Sequence, residues 1–256
     1  MGLWHHGLKV DAPFDHFPTQ RNMNTNGSPR VGVCCVLAVA AAASSCGSRA
    51  NPITPSSVSD GVPLSARRIV VLGDSLAVSP SRDQSFPAAL QIRLDQQRLR
   101  WTVTNAGVYG DTTADGVRRV NALIADDDVR VLILALGAND GLRGVSVSTI
   151  EQNLTTIIER AQARRIQALL CGIETPPLHG WDYTVAFHRL FPRLAARHQI
   201  ALVPFLLDGV ALVPSLNGDD GVHPNAAGAR RIADVVWPYL EPLIRSDQPV
   251  AAHSLQ

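Results

Sequence analysis

The strongest restriction on the fold is a set of short, almost continuously apolar runs separated by longer segments of helical periodicity. Residues 69–72, 129–136, 168–171 and 201–204 are nearly all apolar, and Trp101–Asn105 adds a strand-like run of mixed polarity. A strand with one wet face alternates in polarity, whereas a run that is apolar throughout is covered on both faces, as in a parallel sheet. Between the runs, residues 86–99 carry Leu90, Leu94 and Leu99, and residues 116–124 carry Val117, Val120 and Ile124. Residues 149–163 place Ile150, Leu154, Ile157 and Ile158 on one helical face, and residues 226–240 do so with Ile232, Val235, Val236 and Leu240. Five strands joined by such crossovers imply an α/β fold, a three-layer α/β/α sandwich around a five-stranded parallel sheet.

The first 66 residues read differently from the rest. Arg30 precedes an apolar or small run of about 13 residues, 31–43, too short to span a bilayer but suited to the hydrophobic region of a secretory signal. Ala43-Ser44-Ser45-Cys46-Gly47 then resembles a lipoprotein processing site, with Cys46 the candidate lipidated residue and membrane tether. Both Met1 and Met23 serve as candidate starts; a start at Met23 gives a cationic lead of normal length. Residues 47–66, rich in Ser, Pro and Ala, read as a flexible linker. The expected organisation is therefore a leader over 1–46, a linker over 47–66, one domain over 67–245 and a tail over 246–256, in an exported protein that is periplasmic or membrane-anchored.

About 190 of the 256 residues follow the leader and linker, enough for one domain with a large core. A formal net charge of +1 argues against a nucleic-acid partner held by electrostatics. Cys34 and Cys35 fall in the signal region, and Cys171 ends an apolar run as a small buried hydrophobe, so neither a disulfide nor a metal is expected.

The chemistry-bearing motifs follow the strand-like runs. Gly73-Asp74-Ser75-Leu76 ends the first run, with Ser75 a candidate nucleophile and Asp74 a residue that ties its loop together. Gly107-Val108-Tyr109-Gly110-Asp111 follows the second run and Gly137-Ala138-Asn139-Asp140 the third. Near the end, Asp219-Asp220-Gly221-Val222-His223-Pro224-Asn225 supplies a candidate base, His223, with Asp219 and Asp220 as rival orienters and Asn225 as a helix cap. Nucleophile, base, orienter and oxyanion donors make up the part list for acyl transfer. The Gly-x-Ser-x-Gly elbow, a Walker loop and the Gly-x-Gly-x-x-Gly fingerprint are all absent from the sequence.

On these motifs, and on Ser85-Phe86-Pro87-Ala88-Ala89-Leu90, Gly141-Leu142-Arg143-Gly144 and Phe205-Leu206-Leu207, the chain resembles the SGNH (GDSL) hydrolases over roughly residues 67–242. The likeness is to their thioesterase I, lysophospholipase L1 and arylesterase group. It implies a flavodoxin-like sandwich and a serine esterase acting without cofactor or metal on small acyl or aryl esters, thioesters or lysophospholipids. It also implies a Ser75, Asp220 and His223 triad, since the family's Asp-x-x-His spacing selects Asp220. The oxyanion hole carried over is the amides of Ser75 and Gly110 with the side chain of Asn139. Relatives have an acyl-contacting loop after the fourth strand, which makes Pro177, Leu178, Trp181 and Tyr183 candidate substrate residues. A carbohydrate acetylesterase, or a non-catalytic lipid- or glycan-binding lipoprotein on the same fold, stands as the alternative. The resemblance departs at Ala77-Val78-Ser79-Pro80-Ser81, where many relatives have a small residue and a glycine.

Overall fold

The structure, a computed structural model, describes residues 67–247; the leader, Cys46, the 47–66 linker and most of the tail lie outside the described residues. Five strands, β1 (Arg67–Gly73), β2 (Trp101–Asn105), β3 (Val129–Ala135), β4 (Gln167–Cys171) and β5 (Ala201–Val203), pair in parallel in the order β2-β1-β3-β4-β5. Helices α1 (Phe86–Gln96), α2 (Thr113–Leu123), α3 (Ala138–Arg143), α4 (Val147–Ala163), α5 (Trp181–His198) and α6 (Ala226–Ser246) complete the sandwich. The chain leaves β1 in one direction to form β2, then returns past β1 to form β3, and every later step continues that way. Right-handed crossovers in opposite directions put their helices on opposite faces. Accordingly α1 packs with α6, while α2, α4 and α5 pack as a second layer.

The apolar runs fill the middle layer. Ile69, Val70, Val71 and Leu72 are at most 1% exposed, and Val131, Leu132, Ile133 and Leu134 are fully buried. Strand β2 is one of the two edges, with Trp101 buried and Thr102 exposed, which accounts for its mixed polarity. The parallel partners of β1 bring Ala135 opposite Gly73 and Asn105 opposite Val71, so these strands end at one edge of the sheet. Between β1 and β3 the outgoing segments diverge to opposite faces, opening the crevice where open α/β sheets take their ligands.

Element ends follow local chemistry. Thr112 and Asp115 form a capping box at the start of α2, and Ser146 caps α4. Helix α1 ends at Gln96, short of the expected residue 99, because the chain turns left-handed at Arg98 with φ of 55°. Helix α6 runs to Ser246 through Pro238 and Pro242 because Trp237, Leu240 and Ile244 continue its buried stripe. Helices α3 and α5 do not show in the apolar periodicity of the sequence. Helix α3 has six residues, fewer than two turns. Helix α5 buries Phe187, Leu190, Phe191 and Leu194 at helical spacing, but its interior Pro192 imitates a break and its first turn is exposed.

Gly228, in the first turn of α6, lies against the carbonyl of Leu216, where an added Cβ would stand 2.0 Å from the oxygen. An open helical site would gain about 1 kcal/mol from Gly→Ala. Gly228→Ala is instead expected to lose about 1–3 kcal/mol through overpacking, read by urea unfolding. A gain in stability would show that the contact with Leu216 relaxes freely.

Candidate active site

Strand β1 ends in a tight turn that exposes Ser75 at the crevice. Gly73 permits it: a Cβ there would lie 2.7 Å from that of Ala77, inside the 3₁₀ turn Ser75–Ala77. Asp74 is fully buried, and its Oδ1 accepts the Leu76 amide at 2.9 Å. Ser79 donates its hydroxyl to the Ser75 carbonyl at 2.8 Å, bracing the turn from the other side. Burial pushes the Asp74 carboxyl up to about 6, against partial relief from the Leu76 N–H and the nearby His223.

The base approaches from the far end of the chain. His223 places Nε2 2.9 Å from the Ser75 hydroxyl, while its Nδ1 meets Asp220 Oδ2 at 2.6 Å. Asp220 Oδ1 also accepts the backbone amides of Val222 and His223, each at 2.9 Å. The hydrogen bond with His223, then these two amides, hold the Asp220 carboxyl well below the usual carboxylate range. Asp219 is exposed, and among the described residues its carboxylate has no hydrogen-bond partner. The hairpin is closed by Gly218 donating to the His223 carbonyl at 2.8 Å, with Gly221 at φ of 70° in the turn. Asn225 caps α6 as expected, its Oδ1 accepting from Ala227 and Gly228 while its Nδ2 donates to Ser215 and Asn217 carbonyls.

Opposite His223 lie the segments after β2 and β3. Gly110 has φ of 77°, and a Cβ there would touch only Arg143 at an ordinary 3.7 Å, so backbone conformation rather than crowding favours glycine. Gly107 is the reverse case: a Cβ would meet Val78 at 2.8 Å, so this glycine lets the segment approach the nucleophile turn. Asn105 joins the two, its Nδ2 donating to the Ala77 carbonyl at 2.7 Å and its Oδ1 accepting from the Gly107 amide. Asn139, on the first turn of α3, donates Nδ2 to the Asp111 carbonyl at 2.9 Å and lies 3.4 Å from Asp74 Oδ2. Both neighbours are acceptors, which fixes the amide with its nitrogen toward them. The buried Asp140 beside it accepts from the Thr113 amide and hydroxyl, locking α3 to α2.

The segment after β4 is part loop, part helix. Pro177 and Leu178 are exposed in a turn, whereas Trp181 and Tyr183 belong to the first turn of α5. Trp181 is 72% exposed. Tyr183 packs between His179 and Phe187 and donates its hydroxyl to the Val145 carbonyl at 2.8 Å, so it holds the α3 to α4 connection. His179 binds the Leu142 carbonyl, and His188 meets Glu174 at 2.6 Å, a partner 14 residues away that spacing did not suggest. Cys171 is fully buried, with its thiol pushed up to about 12. Two surface depressions of about 360 and 390 Å³ lie at the opposite, amino-terminal edge of the sheet, beside Gln167 and Arg130, away from this convergence.

Serine, imidazole, carboxylate and amide donors thus meet in one crevice, in a chain whose residues 71–231 match the GDSL-like Lipase/Acylhydrolase family. The chain belongs to this family. It is 39% identical over 181 residues to esterase TesA of Pseudomonas aeruginosa, covering 70% of this chain and 90% of that one. It is 35% identical over 184 residues to thioesterase 1/protease 1/lysophospholipase L1 of Escherichia coli, covering 71% and 87%. A crystal structure of TesA superposes with a TM-score of 0.66 at 38% identity, over 69% of this chain and 99% of that one. The protein is accordingly a GDSL-type ester hydrolase, and among the described residues no helix is long and apolar enough to cross a membrane.

Because the Asp74 carboxyl stands at about 6 in the fold against an ordinary 3.8, the folded state favours its protonated form. Its stabilising contribution is complete below about pH 4 and is lost as pH rises through 6. Asp74→Asn, neutral and of the same shape, should therefore gain on the wild type between pH 4 and pH 7, by on the order of 3 kcal/mol at the upper end. Urea unfolding of both proteins across that range checks this, and a difference independent of pH would show that the buried charge carries no penalty.

Proposed function

We propose that the protein hydrolyses carboxylic esters or thioesters of small acyl or aryl groups, including lysophospholipids, through an acyl-enzyme on Ser75. The observation that carries this reading is the unbroken hydrogen-bonded line from Ser75 Oγ to His223 Nε2 and from His223 Nδ1 to Asp220. In the first step Ser75 Oγ attacks the carbonyl carbon and His223 Nε2 takes the hydroxyl proton. Asp220, kept ionised by its hydrogen bonds, holds Nδ1–H and stabilises the imidazolium. The negative oxygen is met by the amides of Ser75 and Gly110 and by Asn139 Nδ2. The Asn139 amide donates one hydrogen to the Asp111 carbonyl and the other, over 3.4 Å, to Asp74 Oδ2, and on this reading the longer bond is exchanged for one to the substrate oxygen. His223 then gives its proton to the departing alcohol or thiol, and a water activated by the same imidazole releases the acid. Pro177, Leu178 and Trp181, exposed after β4, serve the acyl or aryl group on this reading, and no cofactor or metal is required. Export, with Cys46 as a lipid-carrying tether, belongs to the same proposal.

Ser75→Ala is expected to abolish hydrolysis of p-nitrophenyl esters from acetate to palmitate, of acyl-CoA and of lysophospholipid while leaving the melting temperature near that of the wild type. A tenth of normal turnover in a pure sample would remove Ser75 as nucleophile. With acetylated sugars added, the same panel run on the wild type separates the alternatives: activity on acetylated sugars alone would favour the carbohydrate acetylesterase, and activity on nothing the binding protein. Asn139→Ala should cost roughly 2.7–4 kcal/mol of transition-state stabilisation, mainly in kcat, because the charge it meets exists only after attack. A fall in melting temperature with near-normal kcat would make Asn139 a turn residue instead.

A further inference from the structure

The last residue of β2 and the segment that follows it to α2 are held from outside by side chains at five carbonyls. Arg82 donates to Asn105 and Gly107, each at 2.9 Å, and Arg119 to Ala106 at 2.9 Å while pairing with Asp111. The remaining two bonds both come from α3. Asn139 binds the Asp111 carbonyl at 2.9 Å, and Arg143 Nη2 binds the Gly110 carbonyl at 3.1 Å. These residues are four apart on one short helix, hence on one face, and they grip adjacent carbonyls.

Among the described residues the Arg143 side chain makes no other hydrogen bond. It is exposed, and among the described residues no carboxylate comes within ion-pair distance of it. Yet the helix that carries it is firmly placed: Asp140 is bonded to Thr113, His179 binds the Leu142 carbonyl, and Tyr183 binds that of Val145. Gly144, at φ of 66°, follows directly, with the His179 ring where a side chain would stand, 2.8 Å from its Cβ position. The guanidinium is thus aimed by a rigid support at a residue that is itself the most pliable kind. Glycine at positive φ has wide backbone freedom, and an oxyanion donor helps catalysis only if it is already oriented when charge develops.

We propose that Arg143 is a positioning residue for the oxyanion site, fixing Gly110 relative to Asn139 so that the two amides converge on one oxygen. The assignment rests on the reading of Gly110 and Asn139 as oxyanion donors. It predicts an effect on the transition state, since the ground-state carbonyl does not need both donors in register.

The test compares wild type, Arg143→Met, Arg143→Lys, Asn139→Ala and Ser75→Ala on p-nitrophenyl butyrate, with active sites titrated by a phosphonate ester and melting temperatures measured on the same samples. Arg143→Met is expected to lose about tenfold in kcat per titrated site, a fraction of the effect of deleting a donor outright. Its KM should stay within about twofold and its melting temperature within about 2 °C, as for a surface change. Arg143→Lys, which keeps a charged donor for the Gly110 carbonyl, should return to within about threefold of wild type. A kcat for Arg143→Met within twofold of wild type overturns the proposal. So does a raised KM with unchanged kcat, which would make Arg143 a substrate contact, or a fall in melting temperature and titratable sites with unchanged kcat per site. Ser75→Ala sets the uncatalysed background, and Asn139→Ala separates the two levels: if it loses kcat while Arg143→Met is normal, only the role of Arg143 falls, whereas a near-normal kcat for Asn139→Ala removes the oxyanion reading as well.

Discussion

Both faces of the parallel sheet are closed by helices, and this constraint governs where chemistry can occur. Ile69 to Leu72 and Val131 to Leu134 are buried on both sides, so the side chains of these stretches can only serve the core. Polar groups reach solvent where strands end, and the strand order β2-β1-β3-β4-β5 opens a crevice beside β1. Ser75, Gly110 and Asn139 each lie within five residues of a strand's carboxyl end, at Gly73, Asn105 and Ala135. Their closeness follows from the parallel register, which sets Gly73 against Ala135 and Val71 against Asn105.

Around the crevice, electrostatic and steric demands oppose one another. Asp74 must be buried to hold the Leu76 amide within the nucleophile turn, and burial raises the energy of its charge. Asp220 has the reverse situation: it lies in solvent, where three hydrogen bonds stabilise the carboxylate at little desolvation cost. Two aspartates close to one serine are thus pushed in opposite directions by environment alone. The glycines divide similarly. Gly73 and Gly107 are required by close approach, Gly110 by backbone conformation.

Much of the sandwich was legible in the residues. The doubly buried runs announced parallel strands, and Asn225 announced the start of α6. Helices α3 and α5 were less legible for reasons that lie in their own chemistry. A six-residue helix has no measurable period, and Pro192 with an exposed first turn hides the buried stripe of Phe187, Leu190 and Leu194. Tyr183 shows the consequence at the site. Its sequence position suggests a substrate wall, but as part of α5 it turns its hydroxyl to the Val145 carbonyl. Arg143 was visible only as part of a family-like tetrapeptide, because nothing in sequence tells which carbonyl an arginine will reach.

The sequence by itself determined which chemical groups are available, the order in which they occur, and the layered fold that carries them to strand ends. These are consequences of side-chain polarity and local backbone preference, which act over a few residues. Tertiary structure alone decided the distant contacts: His223 against Ser75 across 148 positions, and Asn139 with Arg143 on adjacent carbonyls. A hydrogen bond requires its atoms to be placed within a few tenths of an ångström. Over such separations that placement is set by strand register and helix packing, quantities that exist only once the whole chain has folded.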